Sequence, residues 1–252
     1  MNKEEKIRET LESGVEPVSL FCRTVYNCSL NDPIAFRTKL MLNSITLGAL
    51  GPESYGITAE QSERAEKLAV LSLKLILRKI NELMGNGTKF EWISCSCPQT
   101  LLLNGTLPET ITELFGGDKK KINKLCIEFP SAILYGDPQD YKEKLLDLEI
   151  AGVNTLIDGF GSEFCPVLRL ASFPFKYAAL DSEQARLMQD KDRAESIESI
   201  VRYITGMRTQ VIACGLTEHE QAARWYRCDA FGYTLEEEPH RMTFEEDGED
   251  AT

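Results

Sequence analysis

"KLCIEFPSAILYGDPQDYKEKLLDLEIAGVNTLIDGFG", residues 124–161, decides the fold. It opens on a short, mostly apolar segment, "LCIEF", passes through a charged stretch, "DPQDYKEKLLDLEIAG", and closes on a second mostly apolar segment, "VNTLIDGFG". Short apolar strands separated by amphipathic helices pair in parallel and bury both faces of the sheet. Each of these two strands also carries an acid, Glu128 in the first and Asp158 in the second.

The pattern continues on both sides. Upstream, "KFEWISCS" predicts a strand and "PETITELFGG" a short helix, while 56–87 carries apolar residues at helical spacing, with Thr58 as a candidate N-cap and glycines at 85 and 87 as a stop. Further back, "VSLFCRTV" (18–25) and "PIAFRTKLML" (33–42) are strand-like. Downstream follow "EFCPVLRLASFP" (helix), "YAALD" (strand), "DRAESIESIVRYITGMR" (helix), "TQVIAC" (strand), "TEHEQAARWYRC" (helix) and "DAFGY" (strand). This number of units over 252 residues fits a closed, modified (β/α)8 barrel better than an open sheet, for which no glycine-rich phosphate loop is present. The expected organisation is a polar helix at 1–14, a barrel at 15–240 and an acidic, disordered tail at 241–252.

Forty acids against 28 bases leave a formal charge of −12, which repels nucleic acid and anionic membrane. No apolar run reaches the length of a membrane span and the first residues are charged where a signal peptide is greasy, so a cytoplasmic protein is expected. Eight cysteines lie mostly inside apolar segments and are expected to be reduced core residues. The "CSC" at 95–97 lacks partners for a zinc site.

A parallel barrel builds its site where the strands' C-termini converge. The predicted strand ends there are Arg37, Ser94 or Ser96, Glu128, Asp158, Asp181, Cys214 and Phe231. Carboxylates at successive strand ends can share a divalent cation that prefers oxygen; taken singly, each can equally cap a helix. Cys214 reads as an inert thiol, because His219 and His240 are expected to be exposed and away from it.

Order and spacing of these segments resemble the EAL domain, the bacterial cyclic di-GMP phosphodiesterase family. "LCIEFPSA" resembles the motif carrying a metal-binding Glu, here Glu128; "LIDGFGSEF" resembles D-D-F-G-T-G, matched at Asp158, Phe160 and Gly161; "FPFKYAALD" resembles L-P-x-x-x-x-K-x-D, matched at Pro174 and Asp181. "VIACGLTEHEQ" and "CDAFGYTLEEEP" are similar to the two closing motifs. "PIAFRTKL" matches the signature E-A-L-x-R only through Arg37, with Pro33 at the glutamate.

The departures fall on the residues that the resemblance makes chemical. Gly159 replaces the second Asp, Ser94 the Asn ligand, Ala179 the catalytic Lys, and Cys214 and Thr217 two glutamates. Phosphodiester hydrolysis in such a site needs paired cations. Glu128, Asp158 and Asp181 are then the vestigial ligands, sufficient for at most one weak magnesium or manganese site, with no cofactor required. The resemblance therefore implies a catalytically inactive regulatory protein of bacterial signalling that acts on another protein, in motility, biofilm formation or surface traits. A non-hydrolysing effector that holds cyclic di-GMP through Arg37 is the alternative, although phosphate binding beside two acids is unfavourable. An active phosphodiesterase or another metal-dependent barrel enzyme is the third reading, and because related domains pair, a homodimer stays open.

Overall fold

The structure, a computed structural model, describes residues 3–12, 18–61, 64–162 and 165–244. A closed ring of eight strands forms its centre: β1 (Val18–Asn27), β2 (Pro33–Ser44), β4 (Trp92–Ser96), β5 (Leu125–Pro130), β6 (Asn154–Phe160), β7 (Tyr177–Leu180), β8 (Gln210–Leu216) and β9 (Gly232–Leu235). From β2 through β4 to β9 all neighbours are parallel, whereas β1 runs antiparallel to both β2 and β9 and closes the ring. Two short outer strands complete the sheet, β3 (Gly48–Leu50) beside β2 and β10 (His240–Arg241) beside β1.

Alternation along each strand sorts the side chains into two cores. Outward residues such as Leu40, Ile93, Ile127, Ile157 and Val211 pack under the surrounding helices. Inward residues fill the lumen, with Val25, Ala35, Trp92, Cys126, Leu156, Tyr177, Ala179 and Ile212 making one apolar plug. Near the strands' N-terminal ends, the Tyr177 ring packs at a tilt against both Trp92 and Phe231, at centroid distances of 5.3 and 5.1 Å. Beneath its polar mouth the barrel is thus packed solid with side chains, as a parallel barrel of this size requires.

The helical layer departs from the sequence expectations in several places. Residues 56–87 do not form one helix: α2 (Pro52–Gln61) and α3 (Ala65–Gly85) divide there, and Thr58 lies inside α2 rather than at an N-cap. Short α4 (Gln99–Leu103), α5 (Leu107–Leu114) and α6 (Lys119–Ile122) cover the next crossover. The helix expected at 163–174 is replaced, within the described residues, by a single 3-10 segment, Val167–Ser172, preceded by Pro166. α7 (Pro138–Ala151) is the helix read from the opening stretch, begun by Asp137 accepting from Gln139 N at 3.0 Å and ended by Gly152 at φ +94°.

α8 (Ser182–Gln189) was not legible as a helix, α9 (Ala194–Gly206) was, and α10 (Ala222–Tyr226) is a shortened form of the expected last helix. His219 precedes α10 half-buried, its Nδ1 bonded to the Tyr233 hydroxyl and its ring edge-on to Tyr26, which corrects its reading as exposed.

Both termini belong to the folded body more than the expected boundaries allow. α1 (Lys3–Glu12) sends Ile7 into the core at 2% exposure. The tail does not begin at 241: Arg241 pairs with Phe21, Met242 is buried, and Lys79 donates to the Thr243 carbonyl. The rest of the predicted tail, 245–252, lies outside the described residues. Among the described residues the cysteines are free, six of them buried, and no helix is long and apolar enough to cross a membrane.

Candidate functional site

β2, β4, β5, β6 and β8 each send one inward side chain to the C-terminal mouth just above the plug: Arg37, Ser94, Glu128, Asp158 and Cys214. Register puts Arg37 in line with Ser94, since Ala35 faces Trp92, and staggers the rest by two residues, Ser94 facing Cys126 and Asp158 facing Pro130, so the long side chains of Arg37 and Glu128 close the group. At Asp158 the β6–β7 pairing slips, and Gly159 follows at φ +66°. Such irregularities re-aim side chains at the rims of barrels. A Cβ on Gly159 would meet only Ser131 Oγ, at 3.7 Å, so glycine is favoured there by the left-handed backbone and not by lack of room.

Arg37 organises the group. Its Nε donates to Glu128 Oε1 at 2.8 Å and its Nη2 to Glu128 Oε2 at 2.5 Å, a bidentate pair. The same Nη2 lies 2.6 Å from Asp158 Oδ1, and Nη1 points at Cys214 Sγ, 3.3 Å away. Ser94 Oγ donates to Glu128 Oε1 at 2.5 Å and accepts from Thr38 N at 3.1 Å. Glu128 is 5% exposed, Arg37 15% and Asp158 45%.

Burial alone would weaken the charge on Arg37, but Asp158 and Glu128 reverse this and raise its pKa well above the ordinary value. Burial likewise works to raise the Asp158 pKa; the guanidinium outweighs it and holds the carboxyl below its usual range. At Cys214 burial prevails over Arg37 and pushes the thiol up, so the sulfur stays protonated and weakly nucleophilic.

The sequence-predicted site residues therefore separate. Glu128 and Asp158 come to one place, each paired with Arg37 between them. Asp181 does not join them: it lines the same cavity, but its Oδ1 accepts from Glu183 N at 2.9 Å and caps α8. Arg37, expected to face a phosphate, faces the two acids. Pro33 is exposed at the start of β2, opposite Tyr26, about 13 Å along the strand from Arg37 and outside the mouth. Phe231 floors the barrel against Tyr177 and does not crowd the rim.

A cavity of about 220 Å³ opens above the group, and its other walls include Phe21, Arg23, Lys39 and Pro239. Sequence reasoning missed these residues, because the β1–β2 register, which sets Arg23 opposite Arg37 and Phe21 opposite Lys39, brings them to the cavity.

The expected weak magnesium or manganese site does not fit these residues. Three of the four oxygens of Glu128 and Asp158 are taken by Arg37 and Ser94, and a positive charge already stands between the acids. Among the described residues no three His, Cys, Asp or Glu side chains come together as a metal-binding group.

The fold has well-matched solved relatives. An EAL domain protein from Listeria monocytogenes superposes with a TM-score of 0.80 at 18% identity, over 94% of this chain and 93% of that one. The PaMucR phosphodiesterase, solved in complex with c-di-GMP, superposes with a TM-score of 0.81 at 17% identity, over 95% and 98%. By sequence, an uncharacterised signalling protein of Caulobacter vibrioides is 29% identical over 124 residues, 48% of this chain; the stretch spans only 15% of that protein. The family model for the EAL domain matches residues 4–232, nearly the whole described barrel, and the chain belongs to the EAL domain family.

Proposed function

We propose that this protein is a non-hydrolysing EAL domain protein of bacterial signalling, which acts by contact with another protein. The observation that carries this reading is the Arg37 guanidinium held between Glu128 and Asp158. Paired divalent ions need those carboxylate oxygens to clamp a phosphate and lower the pKa of a water. Here the oxygens are engaged, Ser94 offers a hydroxyl already donated to Glu128, and Ala179 leaves an apolar wall where the resemblance places a lysine. The retained scaffold then offers surfaces, not chemistry. Incubation of the purified protein with cyclic di-GMP and magnesium or manganese is expected to leave the dinucleotide intact by chromatography. Turnover abolished by Glu128→Gln would overturn the reading.

A second reading, cyclic di-GMP binding without hydrolysis, draws support from Arg23 and Lys39 on the cavity wall and from the ligand in the PaMucR complex. Calorimetry with the dinucleotide decides it: a saturable heat that Arg23→Ala abolishes would favour an effector over a pure protein adaptor.

A further inference from the structure

We infer that Arg37 is a built-in cation that masks a latent divalent-ion site at the barrel mouth. β2 sends one inward side chain to the level of Glu128 and Asp158, and that side chain is a guanidinium. It meets both Glu128 oxygens and one Asp158 oxygen, so it provides the multidentate contact to carboxylates that a bound metal ion would otherwise make. Arginine suits this place because it keeps its charge when buried and its planar fork matches a carboxylate.

Two features make the arrangement a cation position and not a chance surface pair. Glu128 is 5% exposed and its carboxylate also accepts from Ser94, so it requires a cation in place. Beneath it lies the apolar plug of Ala35, Cys126 and Leu156, which offers no alternative counter-charge. An incoming dication would face the guanidinium at close range, with one Asp158 oxygen outside the ion pairs to receive it. One side chain therefore separates this mouth from a metal site: Arg37→Glu replaces the resident positive charge with a third carboxylate beside Glu128 and Asp158.

The test is manganese binding to the full chain, followed by loss of the free-ion paramagnetic resonance signal and by calorimetry. Wild type is expected to show no stoichiometric site at micromolar metal, and Arg37→Lys, which keeps a cation, to behave alike. Arg37→Glu is expected to bind one ion at least about tenfold more tightly, since ligand charge count tunes such sites. If Arg37→Glu is unfolded in metal-free buffer, manganese is expected to restore its circular dichroism, because an ion that binds only the folded state stabilises it. Tight stoichiometric binding by wild type, a folded Arg37→Glu that binds no better, or an unfolded one that millimolar manganese does not rescue would each overturn the inference. This inference deepens the non-hydrolysing reading and rests on the same site, but the two fail separately. Cleavage of cyclic di-GMP by the wild type defeats the reading, whereas a folded, metal-blind Arg37→Glu defeats only the masked site.

Discussion

Arg37 and Glu128 depend on each other in a way that neither residue alone reveals. Removing the arginine leaves a carboxylate at 5% exposure with one serine hydroxyl for company. Arg37→Ala is expected to cost about 3–5 kcal/mol in urea denaturation, the range for breaking one side of a buried pair. The double variant Arg37→Met with Glu128→Leu should recover much of that loss, and a double-mutant cycle measures the coupling. Asp158, at 45% exposure, is screened by solvent and contributes less. Its folded-state pKa lies below the unfolded value of about 3.9. The contribution is therefore fully present above about pH 4 and is lost as pH falls through the lower, folded value. The urea midpoint of wild type should drop across that acid range, and Asp158→Asn should flatten that part of the profile.

Among the elements, α7 and α9 formed as their local signals predict, whereas the 56–87 stretch divided in two and elements under tertiary control departed further. α7 has a cap at each end written into its sequence, and Asp137→Ala is expected to cost about 1 kcal/mol by thermal or chemical denaturation. The 163–174 stretch has helix-like apolar spacing, but Pro166 interrupts it and the described part tightens into a 3-10 segment. α8 went unread because it is short and polar; Ala185 and Met188 are its buried apolar contacts, and Asp181 caps its first turn. That local cap is also why Asp181 is not a partner of Glu128 and Asp158. The C-terminal strand β10 has no periodicity of its own and exists because β9 pairs with β1 only at Tyr26 and Asn27, which leaves Phe21 and Cys22 to pair with β10. Met242, 7% exposed at its end, anchors the segment, and Met242→Ala is expected to destabilise the protein by about 2–5 kcal/mol in the same denaturation assay.

On the scale of the molecule, closure of the ring through β1 turns ten strands and their helices into two nested cores. Trp92, 1% exposed, is the largest side chain of the inner one, and Trp92→Ala should cost about 3–5 kcal/mol by opening a cavity that the rigid ring cannot collapse. The sequence by itself determined the parallel strand–helix alternation, the family, and the presence of acids at the ends of β5 and β6, because these depend on periodicity and order along the chain. Only the tertiary structure decided that Arg37 faces those acids while Pro33 stands outside the mouth and Asp181 caps a helix. Which inward side chains become neighbours is set by inter-strand register and by closure of the barrel, and neither is encoded in any one segment.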